Sequence, residues 1–201
     1  MKFKNHPYIT IVISLFTLVC SLYVNFEISG SLFGAIKIVQ LEPYGGVTFD
    51  HLWNLELWRL FVAPLIHVKQ IHMLFNVLSF ALLGFILEKH IGSARFFVLW
   101  FISGTIGSLI STLTVEAPWN LGTGASQAIF GVAAFGLLVL WRKINTSLSL
   151  KLAVAFAVIP ALLLDLIYAH HPKLGHITGF FMGLVISLYY LKKHRSLYAS
   201  G

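Results

Sequence analysis

Charge is what this 201-residue sequence has least of: Asp, Glu, Lys and Arg fill 10% of its positions, against 58% hydrophobic residues. A water-soluble domain carries about 25% charged residues, because its surface must be wetted. The composition excludes an ordinary soluble domain, and the length leaves no room for a second, soluble one beside a membrane domain. Acids are scarcest, seven against fourteen Lys and Arg. The single cysteine, Cys20, excludes an intrachain disulfide and reads as a small hydrophobe inside an apolar span. Internal repeats, low-complexity tracts and interdomain linkers are absent. His67, five residues before His72, invites a metal reading, but the two-histidine-plus-glutamate helix pattern of zinc proteases is missing. No metal or other cofactor is expected.

What the chain has instead is long apolar runs. Six of them, about 7–25, 72–88, 95–114, 126–141, 151–169 and 176–191, approach the roughly 20 residues that cross a bilayer. The first follows a basic start at Lys2 and Lys4, which also fits a secretory signal. It lacks a small-residue cleavage site and is long for a signal core, so a retained anchor is expected. The predicted architecture is one all-α membrane domain over 1–201, with an outer loop at 26–71 and a tail at 192–201.

Orientation follows from the excess of Lys and Arg in cytoplasmic loops. With the N-terminus inside, the cytoplasmic segments hold Lys2, Lys4, Lys89, Arg95, Arg142, Lys143, Lys151, Lys192, Lys193 and Arg195, and the outer ones only Lys37, Arg59, Lys69 and Lys173. That is ten against four, with both termini and the tail cytoplasmic. The net charge of +7 thus reflects topology and gives no reason to invoke nucleic acid. The outer loop mixes turn-formers (Gly30, Pro43, Gly45, Gly46, Pro64) with Phe33, Trp53, Trp58 and Phe61. That mixture suits a folded segment lying in the headgroup region, where Trp is favoured. Its backbone must be satisfied against protein, so it is expected to pack on the bundle.

Polar side chains at membrane depth are expensive and commonly functional. In this topology the second, fourth and sixth spans begin at the outer face, with His72 and Asn76, then Ser126 and Gln127, then His176. Ser126 follows the turn Gly122-Thr123-Gly124-Ala125 and opens an apolar run, so it sits at a helix N-terminus, where free N–H groups favour negative charge. A plain N-cap serine would look the same. Depth separates the readings: residues 126–141 extend roughly 24 Å at 1.5 Å per residue, less than the hydrocarbon core of about 30 Å. Ser126 would then lie below the outer boundary, where a decorative cap has no reason to be.

His176 shares a helical face with Gly179 and Gly183, a small-xxx-small pattern that permits close helix approach. The sixth helix can thus press on the fourth and bring an imidazole to Ser126, a weak nucleophile until a base takes its proton. The alternative is a histidine bonded to headgroup or backbone. His72 and Asn76 lie four apart on one face and offer donors suited to an oxyanion, or to a structural bond between helices.

Taken in order, these residues resemble the rhomboid proteases. The resemblance runs from about Trp58 to Gly183 and rests on Trp58-Arg59, then His67, His72 and Asn76, then Glu88 and Gly92. It continues with Gly124-Ala125-Ser126, Phe130-Gly131, and finally Gly175-His176 with Gly179 and Gly183. It implies a six-span rhomboid-like bundle with Ser126 as nucleophile and His176 as base, a dyad that needs no acid. It also implies an oxyanion hole from His72, Asn76 and the Ser126 amide. Gly124, Phe130, Gly179, Trp58 and Arg59 become supporting residues, and Glu88 an anchor at the inner end. Asp165, the one nearby acid, reads as a polar contact or loop anchor. Two positions depart from the family: Gln127 replaces the usual glycine, narrowing the cleft or adding a hydrogen bond, and Phe130 replaces a frequent tyrosine.

The implied partners are the lipid bilayer and transmembrane segments of membrane proteins, cut near small residues and unwound to expose their carbonyls. The compact core looks bacterial, which implies a plasma-membrane location with the site opening outward. The rival readings are a catalytically silent rhomboid-fold protein that binds or escorts membrane helices, and a small transporter. A transporter would place coupled carboxylates or cations near the midplane, where Asp165 is the only acid to serve.

Overall fold

A computed structural model describes residues 6–198, with side chains through Lys192. Six long helices dominate it: α1 (Tyr8–Ser29), α4 (Gln70–Ile91), α5 (Ser93–Thr114), α6 (Ser126–Trp141), α7 (Leu148–Ala169) and α8 (Leu174–Tyr198). Two short helices, α2 (Phe49–Trp53) and α3 (Arg59–Val62), and the 3₁₀ turns Ile38–Leu41 and Ala63–Leu65 punctuate the α1–α4 connection. Among the described residues, β pairing is confined to one antiparallel bridge, Val47 with Gly122. The protein is thus an all-helical, multi-pass membrane bundle.

All six expected apolar runs are helical, with shifted ends. The first runs on to Ser29, because Phe26, Glu27 and Ile28 stay helical until Gly30 takes the left-handed conformation (φ 72°) and returns its N–H to the Phe26 carbonyl. The sixth continues through Tyr198, so helix covers most of the positions expected as a tail. The basic start at Lys2 and Lys4, and the last residues, 199–201, lie outside the described residues. Five of the long helices have the length and apolarity to cross a membrane, while α6, at 16 residues, is shorter. At 1.5 Å per residue it falls roughly 9 Å short of its 22-residue neighbours.

The burial pattern inverts that of a water-soluble protein. Helix α1 buries Thr10, Thr17, Ser21 and Asn25 at helical spacing and turns Leu15, Phe16, Val19 and Tyr23 outward. Helix α7 likewise exposes Leu163, Leu164, Leu166 and Ile167 while burying Asp165. A polar group facing lipid would go unsatisfied, so polar side chains gather inside. Helix α6 stands at the centre, buried along nearly its whole length and packed by α4, α5, α7 and α8.

Small residues set those packing distances. A methyl group added at Gly104 would press on Ala128, one at Gly107 on Gln127, and one at Gly175 on Ser111. At Gly179 and Gly183 it would run into the backbones of Gln127 and Gly131. Backbone therefore lies against backbone where α8 crosses α6, the close approach expected of glycine-faced membrane helices.

Polar anchors hold the periphery. Glu88, fully buried, accepts the Ile9 and Thr10 N–H groups at 3.1 and 2.9 Å, the Thr10 hydroxyl at 2.7 Å and the Ser93 hydroxyl at 2.5 Å. A carboxylate thus caps the start of α1, where the helix dipole favours negative charge. The expected anchor ties the first helix to the α4–α5 turn. In the α1–α4 connection, buried Arg59 donates to the Glu42 carbonyl, to the Gly46 carbonyl at 2.8 Å and to the Glu56 carboxylate at 2.7 Å. Its guanidinium stands 4.7 Å over the Trp58 ring. These contacts fold the connection on itself, and the Phe61 ring, stacked on Phe101 of α5 at 4.6 Å, packs it on the bundle, as its composition implied.

Candidate active site

The loop before α6 is built by backbone pairing and one strained turn. Val47 and Gly122 exchange hydrogen bonds of 3.0 and 2.7 Å, and the Gly124 N–H donates to the Ala63 carbonyl at 2.9 Å. Gly124 has φ +81°, a conformation L side chains rarely adopt, and a methyl group there would lie 3.2 Å from the His67 ring. The positive φ calls for glycine, and the His67 ring leaves little room for more. The chain then enters α6, whose first helical hydrogen bond runs from the Ile129 N–H to the Ala125 carbonyl at 3.0 Å. The N–H groups of Ser126, Gln127 and Ala128 precede that bond and have no intrahelical partner.

Because α6 is short, Ser126 at its start lies within the bundle. The Ser126 Oγ is 2.9 Å from His176 Nε2. Phe130, one turn further along α6, stacks on the His176 ring at 4.5 Å with only 3° between planes. The stack fixes the imidazole plane. The glycine contacts of α8 supply the proximity: a side chain at Gly179 would push His176 away from Ser126.

The other imidazole nitrogen meets an acid. His176 Nδ1 lies 2.6 Å from Asp165 Oδ2, on a side chain 2% exposed. The same oxygen accepts the Lys173 N–H at 3.1 Å, and the Lys173 ammonium stands 3.4 Å from Oδ1. The loop-anchor reading of Asp165 holds for Lys173, and the bond to His176 goes beyond it. Asp165 could have been singled out from the sequence, since acids within apolar spans are rare without a partner.

On α4, Asn76 is buried and its amide Nδ2 lies 3.0 Å from His67 Nε2. Since the amide nitrogen donates, His67 accepts through Nε2 and carries its proton on Nδ1. Burial lowers the His67 pKa from its ordinary 6.5 to about 3, so the ring stays neutral. The second Asn76 N–H remains for another acceptor. His72 sits one turn earlier, its ring edge-on to His67 at 5.9 Å between centroids. His67, from the resemblance only one motif residue among several, emerges as the group that holds Asn76. Gln127 also touches the site, its Oε1 3.4 Å from the Ser126 Oγ, a long contact beside the shorter one to His176. It adds the hydrogen-bonding group anticipated where the family has glycine.

Ser126 and His176 thus meet directly, Asn76 lies across the Gly124 turn from Ser126, and His72 flanks His67. Trp58 and Arg59 stand apart, in the connection that braces the loop. The arrangement unites a hydroxyl, an imidazole, a carboxylate and free N–H donors at one helix end, the parts needed for acyl transfer.

The family model for the Rhomboid domain matches residues 54–193. The putative rhomboid protease YdcA of Bacillus subtilis (strain 168) is 31% identical over 146 residues, covering 72% of this chain and 73% of that protein. Rhomboid-like protease 3 of Toxoplasma gondii is 29% identical over 148 residues, 72% of this chain and 56% of its own length. Inactive RHOMBOID-like protein 8 of Arabidopsis thaliana is 33% identical over 122 residues, 59% of this chain and 34% of that one. The chain therefore spans little more than half, or less, of the last two relatives.

Proposed function

The chain belongs to the rhomboid family, and from that premise we propose that it is an intramembrane serine endopeptidase that cuts transmembrane segments through Ser126 and His176. The observation that carries this reading is the 2.9 Å contact between the Ser126 Oγ and His176 Nε2 at the buried start of α6. A hydroxyl so placed can give its proton to the imidazole as its oxygen attacks a carbonyl carbon.

In the first half-reaction the Ser126 oxygen bonds to the scissile carbon while His176 Nε2 takes the hydroxyl proton. The carbonyl oxygen becomes an oxyanion, for which the Ser126 N–H, the free Asn76 N–H and His72 are the candidate donors. The C–N bond then breaks, His176 returns its proton to the leaving amine, and an ester on Ser126 remains. Water attacks that ester with His176 again as base, releasing the carboxylate product and restoring the serine. A helical substrate must unwind locally to offer its carbonyl, since helix carbonyls are hydrogen-bonded. The excess of Lys and Arg on one side of the topology favours cytoplasmic termini and a site opening to the outer face.

The test is cleavage of a single-span reporter by purified protein, beside Ser126→Ala and His176→Ala. Cleavage by the unmodified protein and its loss in both folded variants is the expected result; persistence in Ser126→Ala would sink the reading. A second reading has a specific observation behind it: one relative is named inactive. In that case the fold binds or escorts helices without cutting. Failure to cut any of a varied reporter panel, with retained reporter binding, would favour it.

A further inference from the structure

We propose that Asp165 is a positioning residue for His176, so that the site works as a serine–histidine–aspartate relay; this rests on the protease reading above. A carboxylate can only accept at its short contact with Nδ1, so His176 must carry its proton there. Nε2 is then left with a lone pair aimed at the Ser126 hydroxyl 2.9 Å away. The acid thereby selects the one neutral tautomer that can act as base. When Nε2 takes the serine proton the ring becomes a cation, and Asp165 faces it as a fixed negative charge, itself never protonated.

The geometry gives the carboxylate few alternatives. It is buried on α7, and among the described residues its oxygens meet only the His176 ring, the Lys173 N–H and the Lys173 ammonium. The short turn between α7, closed by His170 at φ 60°, and α8 brings Asp165 and His176 together across eleven residues. With Phe130 stacked on one face of the ring, the imidazole is held by its face and by both nitrogens. An anchor for the turn alone would need the contact to the Lys173 N–H and nothing at Nδ1.

Among the described residues, the charged and titratable groups around His176 are Asp165 from α7, Lys173 from the turn, and His72 from α4, which Lys69 in turn faces. Of these only Asp165 is an anion. Its removal destabilises the imidazolium, so the acid limb of the rate profile must move to lower pH.

The experiment compares the full chain with Asp165→Asn and Asp165→Glu in detergent, measuring kcat and KM for a single-span reporter across pH. In Asp165→Asn the expected result is a fall in kcat of roughly 100-fold or more with KM little changed. The acid limb should move down by about one unit, and Asp165→Glu should recover most of both losses. A limb that stays put in Asp165→Asn overturns the proposal, whatever happens to kcat or stability, because a mere anchor would behave that way. If the unmodified protein cuts nothing, the protease reading fails separately. The role of Asp165 is then judged without substrate, by the NMR titration of the His176 ring: the same downward movement supports it, and an unchanged titration overturns it.

Discussion

Gly179 lies so close to Gln127 that a methyl group on it would overlap the Gln127 backbone, and this contact sets how near His176 comes to Ser126. The first prediction follows. Gly179→Ala should force α8 away from α6, an overpacking worth about 1–3 kcal/mol of stability. Reporter cleavage should fall at least about tenfold even in the folded fraction, since a misplacement of about 1 Å is costly to chemistry. Unfolding in graded denaturing detergent, paired with cleavage rates, checks both.

The stacking of Phe130 on His176 gives a contrast between two substitutions. Phe130→Tyr keeps the ring and should leave cleavage within about threefold of the parent. Phe130→Ala removes it, and an aromatic pair worth about 0.5–1.5 kcal/mol beyond its buried area should translate into a rate loss of several-fold to tenfold. Equal rates for the two variants would show that the stack does not orient the base.

Glu88 predicts a separation of stability from activity. Glu88→Ala leaves the Ile9 and Thr10 N–H groups and two hydroxyls without their acceptor at the start of α1. Loss of about 2–4 kcal/mol is expected. The site lies at the other end of the bundle, so the rate per folded molecule should hold. A rate that falls in step with stability across a temperature series would contradict this.

His67 predicts a pH effect whose sign is set by burial. Its folded pKa of about 3 lies below the ordinary 6.5, so the unfolded chain binds the proton first as pH falls. The associated stability is complete above about pH 6.5 and drains away toward pH 3, with a slope of at most about 1.4 kcal/mol per pH unit. His67→Gln, which has no titrating group, should lose stability less steeply over that window. Parallel curves for parent and variant, from unfolding at several pH values, would show that His67 is not the source.

The helices were legible because apolar runs broken by glycine leave few alternatives: Gly30 and Gly92 both stand where the structure turns. The small-residue face of Gly179 and Gly183 was legible for the same reason, since period and residue size together imply close approach. The partnerships of Asp165 and His67 were harder. Sequence spacing reads pairs on one helix, such as His72 and Asn76, but His67 reaches Asn76 from a loop nine residues before it. Asp165 faces His176 only because the α7–α8 turn is short and α7 presents that side inward. Such contacts depend on where two elements meet, which a linear pattern does not carry. Helix ends suffered too: nothing in the charged stretch from Lys192 obliges α8 to stop, and it continues to Tyr198.

The Val47–Gly122 bridge has a reach that its size conceals. Two hydrogen bonds splice the α1–α4 connection to the turn that delivers Ser126, with Ala63 adding a third through Gly124. The connection is thus a strut under the site, and its covalent integrity becomes part of the active-site architecture. Between the bridge and Ala63 it presents Trp53 and Leu55 almost fully to the surroundings. A single nick there would cut no residue of the site, yet it would sever the covalent link between the two contacts that hold the serine turn.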